Sequence, residues 1–250
     1  MAPQALILQN APGEDHGILG SILNERGWGQ QLIPLYKGAA MPGNWKDFDL
    51  LLVMGGPMNV YEEETYPYLA RETEVLREAL ASGPPVMGFC LGAQLMAKAC
   101  GAGVRKGAEK EIGWYEVRLT QAGRADPLLN AVPESWTVFQ WHGDTFDIPE
   151  GAVRLFTSGN IPNQAMRIGE MNYGFQFHFE VTREMIAQWL ESGREELGSM
   201  GTKGSARTIL SRAEHLLPPL HEQAQIFFKG YLERVERMAG RVTKRSPDPA

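Results

Sequence analysis

Short apolar runs alternate with stretches of helical periodicity over the first hundred residues. Residues 5–9, 31–35 and 49–54 read as strands, and the spacing predicts helices over 17–26 and 67–81. Pro34 marks the second strand as an edge or a strand end. The third is apolar at almost every position and is therefore expected to be covered on both faces. A fourth apolar run, 84–89, passes into a helix-forming run, 91–99, with no residue left for a loop. Strand and helix in alternation predict an α/β fold built on an open doubly wound, flavodoxin-like, mostly parallel sheet. From residue 103 the pattern becomes strands and turns at 112–119, 136–139, 153–157, 164–168 and 173–179, which predicts a flanking antiparallel extension.

The strand-to-helix junction reads Gly88-Phe89-Cys90-Leu91-Gly92. A turn this tight needs glycine on both sides, because a Cβ would meet neighbouring backbone, and the residue at its apex is pushed outward. That residue is Cys90, at a helix N-terminus whose dipole favours a thiolate, so it is a candidate nucleophile. Its alternative is an ordinary buried free cysteine. Gly55-Gly56-Pro57 follows another predicted strand, and its glycines would let a backbone N–H approach a ligand beside Cys90. In the last strand, His178 and Glu180 are two apart and share a face. A thiolate enzyme needs an imidazole to carry protons and a carboxylate to orient it, and these two residues supply both. The carboxylate follows the histidine in the chain, which excludes the α/β-hydrolase order.

Taken together, Gly88-Phe89-Cys90-Leu91-Gly92-Ala93-Gln94, Gly55-Gly56-Pro57 and Gln176-Phe177-His178-Phe179-Glu180 resemble, in order and spacing, the motifs of the class I (triad-type) glutamine amidotransferases. The resemblance covers roughly residues 5–192 and is most similar to the amidotransferase domain of GMP synthase, in a stand-alone form. It includes Trp141-His142-Gly143-Asp144, where that domain carries a His-Gly-Asp segment. It implies a Cys90–His178–Glu180 triad and an oxyanion hole from the backbone N–H groups of Gly56 and Leu91. It also implies substrate contacts from Met58, Gln94, Trp141, His142 and Gly143, and no cofactor or metal. One departure is Phe179, which stands where the family pattern has proline.

Composition narrows the setting. The 250 residues are 43% hydrophobic, with a formal charge of -6, which argues against nucleic acid as a partner. No apolar run reaches the roughly 18–20 residues of a membrane span, the N-terminus lacks signal-peptide features, and two cysteines cannot build a disulfide framework. A cytoplasmic protein without a membrane partner is the expectation. The expected organisation is an amidotransferase-like domain over 1–192, a Gly- and Ser-rich linker over 193–204, a helical extension over 205–240 and a disordered tail over 241–250. Pro218-Pro219 predicts a break between two helices, 205–216 and 218–238. Ile226, Phe227, Phe228 and Tyr231 leave room for a homodimer surface.

Three functions fit these residues. One is hydrolysis of the glutamine side-chain amide, with ammonia passed to a separate acceptor such as an ATP-dependent synthetase. Another is cleavage of larger γ-glutamyl compounds such as glutathione conjugates, in which pocket width decides. The last is a glutamine-binding regulatory module without activity, motivated by Phe179.

Overall fold

The computed structural model describes residues 2–199 and 205–240. Its elements run β1 (Gln4–Gln9), α1 (Gly17–Glu25), β2 (Gly29–Pro34), β3 (Leu50–Val53), α2 (Tyr68–Ser82), β4 (Val86–Phe89) and α3 (Leu91–Ala99). They continue with β5 (Val104–Leu119), α4 (Gln121–Arg124), β6 (Ser135–Phe146), β7 (Val153–Thr157), β8 (Ala165–Ile168) and β9 (Asn172–Phe175), then α5 (Arg183–Ser192), α6 (Arg194–Ser199) and α7 (Ala206–Met238).

Among the described residues the strands form one nine-stranded sheet, in the order β2-β1-β3-β4-β9-β8-β7-β5-β6. Strands β2, β1, β3, β4 and β9 are parallel. From β9 onward each neighbour is antiparallel, so the extension continues the same sheet through the shared strand β9. Pro34 ends the edge strand β2, where its missing N–H breaks no ladder.

The central strands are buried on both faces with period 2. Ala5 and Ile7 of β1 and Leu50 and Leu52 of β3 face one apolar layer, together with α1, α5 and α7. Leu6, Leu8, Leu51 and Val53 face the other, with α2 and α3. This two-sided burial is why those runs lack alternation in the sequence.

Four elements ahead of α7 differ from the sequence pattern. β5 and β6 extend well beyond 112–119 and 136–139, because Val104 and Arg105 pair with Phe146 and Thr145 although the segment 105–110 is polar and largely exposed. Ladder hydrogen bonds hold this end, and they leave no apolar alternation to read. The strand expected over 173–179 stops at Phe175, and His178 makes an isolated antiparallel bridge to Phe139. Helix α6 occupies part of the expected linker, of which residues 200–204 lie outside the described residues, as does the expected tail 241–250.

The C-terminal helices correct the sequence reading most. Pro218 and Pro219 lie inside a single helix of 33 residues and do not break it. An apolar stripe, Ile209, Ala213, Leu217, Leu220, Ala224, Phe227, Phe228, Tyr231 and Val235, stays in helical register across the prolines and is buried along its length. Packing of that stripe outweighs the backbone hydrogen bonds that two prolines cannot donate. Phe227, Phe228 and Tyr231 are core residues, which removes them from the expected dimer surface and leaves Ile226 exposed there. Near the end of α7, Glu236 accepts from Arg26 (2.7 and 3.0 Å) and from the indole of Trp28 (2.9 Å), tying the helix to α1 and the start of β2.

Phe228 stacks on Phe179 with ring centroids 4.8 Å apart and 15° between planes, and its edge meets Phe89 in the strand that leads to Cys90. Phe228→Ala is expected to cost about 3–5 kcal/mol in urea unfolding, as large buried aromatics do. A loss below about 1 kcal/mol would mean that α7 is a dispensable cover.

Candidate active site

In parallel α/β sheets, ligands sit beyond the C-terminal strand ends where the chain order reverses. Here β1 is flanked by β2 on one side and β3 on the other, and the loops after β1, β3, β4 and β9 converge. They line a cavity of about 590 Å3 whose wall includes Glu14, Gly56, Cys90 and His178.

Cys90 sits at the elbow between β4 and α3 with φ 48° and ψ −105°, the one non-glycine residue with positive φ among those described. Such a backbone costs of order 1–3 kcal/mol and persists because its surroundings fix it. Both flanking glycines are needed: a Cβ at Gly88 would stand 2.7 Å from the carbonyl carbon of Gly92, and one at Gly92 would stand 2.1 Å from the carbonyl oxygen of Val53. The N–H of Cys90 donates to the carbonyl of Phe175 at 2.7 Å, which locks the elbow to the end of β9. Its sulfur lies 3.6 Å from the Trp141 carbonyl and 3.6 Å from the side-chain amide of Gln176, which donates to it.

Past β9, the chain carries His178 back to the elbow. His178 Nδ1 lies 2.6 Å from Glu180 Oε1, and the other Glu180 oxygen accepts the N–H of Phe179 at 2.9 Å. With Nδ1 facing Glu180, the imidazole also interacts with the Cys90 thiol, which helps to raise its pKa. Both residues are buried, and the Trp189 ring meets the imidazole edge-on at 4.8 Å. Burial pulls the His178 pKa down, but the charge of Glu180 and the hydrogen bonds to Cys90 and Glu180 push it up and prevail, leaving it well above its ordinary value. Glu180 also anchors α1, since its carbonyl accepts the N–H of Ile18 at 2.9 Å.

The glycine loop lies against these groups. A Cβ at Gly56 would come within 3.0 Å of the Leu91 side chain, and one at Gly55 would stand 3.3 Å from His178 Cε1 and 2.5 Å from a Glu14 oxygen. Behind the loop, Asn10 donates to the Met54 carbonyl at 3.0 Å and contacts Glu72 at 3.4 Å. Burial pushes the Glu72 carboxyl up to about 8.

Of the residues named as substrate contacts, Met58, Gln94, Trp141, His142 and Gly143 all border the cavity. Gln94 donates to the Asp144 carbonyl and to Gln176, both at 3.2 Å. The His142 ring points elsewhere: Nε2 faces Glu111 at 3.0 Å and Nδ1 faces the Asp144 carbonyl at 2.9 Å. Its side chain is engaged in the sheet, and only its place in the strand borders the site. Sequence reasoning missed Gln176, Trp189 and Glu14. Gln176 was within reach, since it shares the i, i+2 spacing of His178 and Glu180, whereas Glu14 and Trp189 arrive from distant elements with no local signal.

The chain as a whole has counterparts among known proteins. The family profile for glutamine amidotransferase class-I matches residues 21–191. The chain belongs to the class I glutamine amidotransferase family. It is 35% identical over 188 residues to YfeJ of Salmonella typhimurium, a glutamine amidotransferase-like protein, covering 74% of this chain and 79% of that one. It is 35% identical over 133 residues to the glutamine-hydrolyzing GMP synthase of Latilactobacillus sakei, covering 52% of this chain but 24% of that enzyme. Among solved structures, a glutamine amidotransferase of Thermotoga maritima superposes with a TM-score of 0.84 at 34% identity, over 94% of this chain and 98% of that one. A glutamine amidotransferase of Methylobacillus flagellatus gives 0.85 at 27% identity, over 100% and 99%.

Two outcomes test the geometry. In Glu180→Gln the main group that raises the His178 pKa is gone and burial dominates, so the imidazolium is lost at lower pH. The alkaline limb of kcat/KM for glutamine is then expected to move to lower pH; an unmoved limb would remove Glu180 from the pairing. Phe179→Pro removes the N–H that Glu180 accepts and an aromatic ring from the core, so it is expected to lower both glutaminase kcat and stability. A gain in kcat would show that the Phe179 N–H does not hold Glu180.

Proposed function

We propose that this protein hydrolyses the side-chain amide of glutamine through a Cys90 γ-glutamyl thioester. The observation that carries the reading is the buried Cys90–His178–Glu180 line at the floor of a cavity, on a strained elbow tied to β9. Cys90 Sγ attacks the γ-carbonyl carbon, and the N–H groups of Leu91 and Gly56 stabilise the tetrahedral oxyanion. The carbon–nitrogen bond breaks as His178 gives its proton to the departing nitrogen. His178 then takes a proton from water, whose oxygen attacks the thioester, and glutamate leaves as the thiol side recovers its proton. Glu180 orients His178 and favours its charged form throughout. Gln94, Met58 and the backbone of Trp141 and Gly143 hold the glutamyl part.

The ammonia goes to a separate acceptor enzyme, a role supported by likeness to the glutamine-hydrolyzing part of GMP synthase. An inactive binding module is less well supported, because the Phe179 N–H and ring together supply the restraint that proline gives elsewhere.

Glutamate release from glutamine by the purified protein tests this reading. Cys90→Ala and His178→Ala are each expected to reduce turnover by at least about 10³-fold, in line with losses of single triad members. Cys100→Ala, at the far end of α3, is expected to keep wild-type turnover. Turnover retained in Cys90→Ala would refute the thioester route.

A further inference from the structure

Behind the Gly55-Gly56 loop lies a buried polar pair that the thioester chemistry does not use. Asn10 follows β1, Glu72 stands on α2, and both are fully buried. Asn10 Nδ2 donates to the Met54 carbonyl at 3.0 Å and to Glu72 Oε1 at 3.4 Å. The other oxygen of each side chain, Asn10 Oδ1 and Glu72 Oε2, is buried without a hydrogen-bond partner. The Met54 carbonyl fixes which way the amide points, because turning its oxygen there would set two acceptors together. Both orphan atoms therefore belong to one pair whose remaining atoms are already joined.

An ionised Glu72 only accepts, as does Asn10 Oδ1, so the two orphans could not serve each other. A protonated Glu72 carries the one donor that is missing. Burial lifts its carboxyl from 4.5 to about 8 against the Asn10 bond, which keeps it neutral at neutral pH. The titratable group that faces it is Tyr68, one turn earlier on α2, whose hydroxyl is pushed up to about 12 by burial with Glu72 adding to the rise. The Tyr68 hydroxyl donates to the Asn10 carbonyl at 2.9 Å, and its oxygen lies 3.9 Å from the Met58 sulfur. Tyr68 and Glu72 share a face of α2 and thus grip Asn10 by backbone and side chain. Asn10 in turn holds the carbonyl of Met54, the residue before the two glycines, and a Cβ at Gly56 would stand 3.3 Å from Asn10 Cβ.

We propose that Glu72 is a positioning residue that, in its neutral form, closes a two-bond ring with Asn10 and through it holds the Gly55-Gly56 loop where the oxyanion forms. The two bonds run from Nδ2–H to Oε1 and from Oε2–H to Oδ1. Glu72 touches no reacting atom and gives up no proton during turnover. Its effect on rate rests on the amide-hydrolysis reading, whereas the ring itself does not. Ionisation of Glu72 removes the second bond and leaves two buried acceptors facing each other behind the loop.

Glu72→Gln tests the ring, because its amide N–H replaces the carboxyl O–H and does not titrate. The folded protein keeps a proton that the unfolded chain releases above about 4.5, so the Glu72 contribution is full below that pH and is lost as pH rises through about 8. The urea midpoint of Glu72→Gln relative to wild type is therefore expected to rise from about pH 5 to about pH 8. Infrared difference spectra of wild type against Glu72→Gln are expected to show a protonated-carboxyl C=O stretch at neutral pH that fades in alkali. A midpoint difference flat with pH, without that band, would mean an ionised Glu72 and overturn the ring. For the loop, Glu72→Leu is expected to lower glutaminase kcat at least about tenfold with KM changed less than about threefold, since oxyanion contacts act in the transition state. Glu72→Gln is expected to restore most of that loss and to gain on wild type as pH rises through the wild-type titration. Wild-type kcat in Glu72→Leu, or an equal loss in both variants, would overturn the positioning role. A wild-type protein that releases no glutamate would sink the amide-hydrolysis reading, and the unfolding and infrared measurements would still decide the ring.

Discussion

The parallel pairing of β4 with β9 is the constraint on which the site depends. Met87, Gly88 and Phe89 pair with Tyr173, Gly174 and Phe175, and the ladder ends in the Cys90 N–H to Phe175 carbonyl bond. That register sets Cys90 at the end of one strand and delivers the segment 176–180 from the end of the next. A one-residue slip would turn Gln176, His178 and Glu180 away from the sulfur, since successive residues face opposite sides. The strained φ of Cys90 is held by the same ladder and by glycines that let α3 press against β3.

Packing converts that register into rigidity. Phe175, Phe177 and Phe179 interleave with the polar residues Gln176, His178 and Glu180, and their rings meet one another at 4.7–5.7 Å. Phe89 from the Cys90 strand and Phe227 and Phe228 from α7 complete the cluster. The polar residues of the segment therefore have one place to go. Dense aromatic packing surrounds Phe179, whose N–H donates to Glu180.

The electrostatics follow from the same burial. Burial pulls the His178 pKa down, but Glu180, 2.6 Å away, and the Cys90 thiol hold it above its ordinary value. Its protonated form in the folded state adds stability that is full below its ordinary pKa and fades as pH rises through the raised one. Glu14 and Glu72 respond in the opposite sense, since burial raises their carboxyl pKa values, that of Glu14 against the pull of His178.

The sequence by itself determined the strand–elbow–helix unit, the two-sided burial of the first strands and the three motifs, because each is a local pattern of glycine, apolar run or i, i+2 spacing. His178 and Glu180 were legible for that reason, although their backbone leaves the strand after Phe175. Tertiary structure alone decided the rest. Long-range packing carried α7 through Pro218 and Pro219 against local propensity. Ladder pairing lengthened β5 and β6 through polar residues. The His142 ring turned from the cavity because a buried carboxylate, Glu111, lies across the sheet. The Glu14, Trp141 and Trp189 wall joins residues far apart in the chain, and only the folded sheet makes them neighbours.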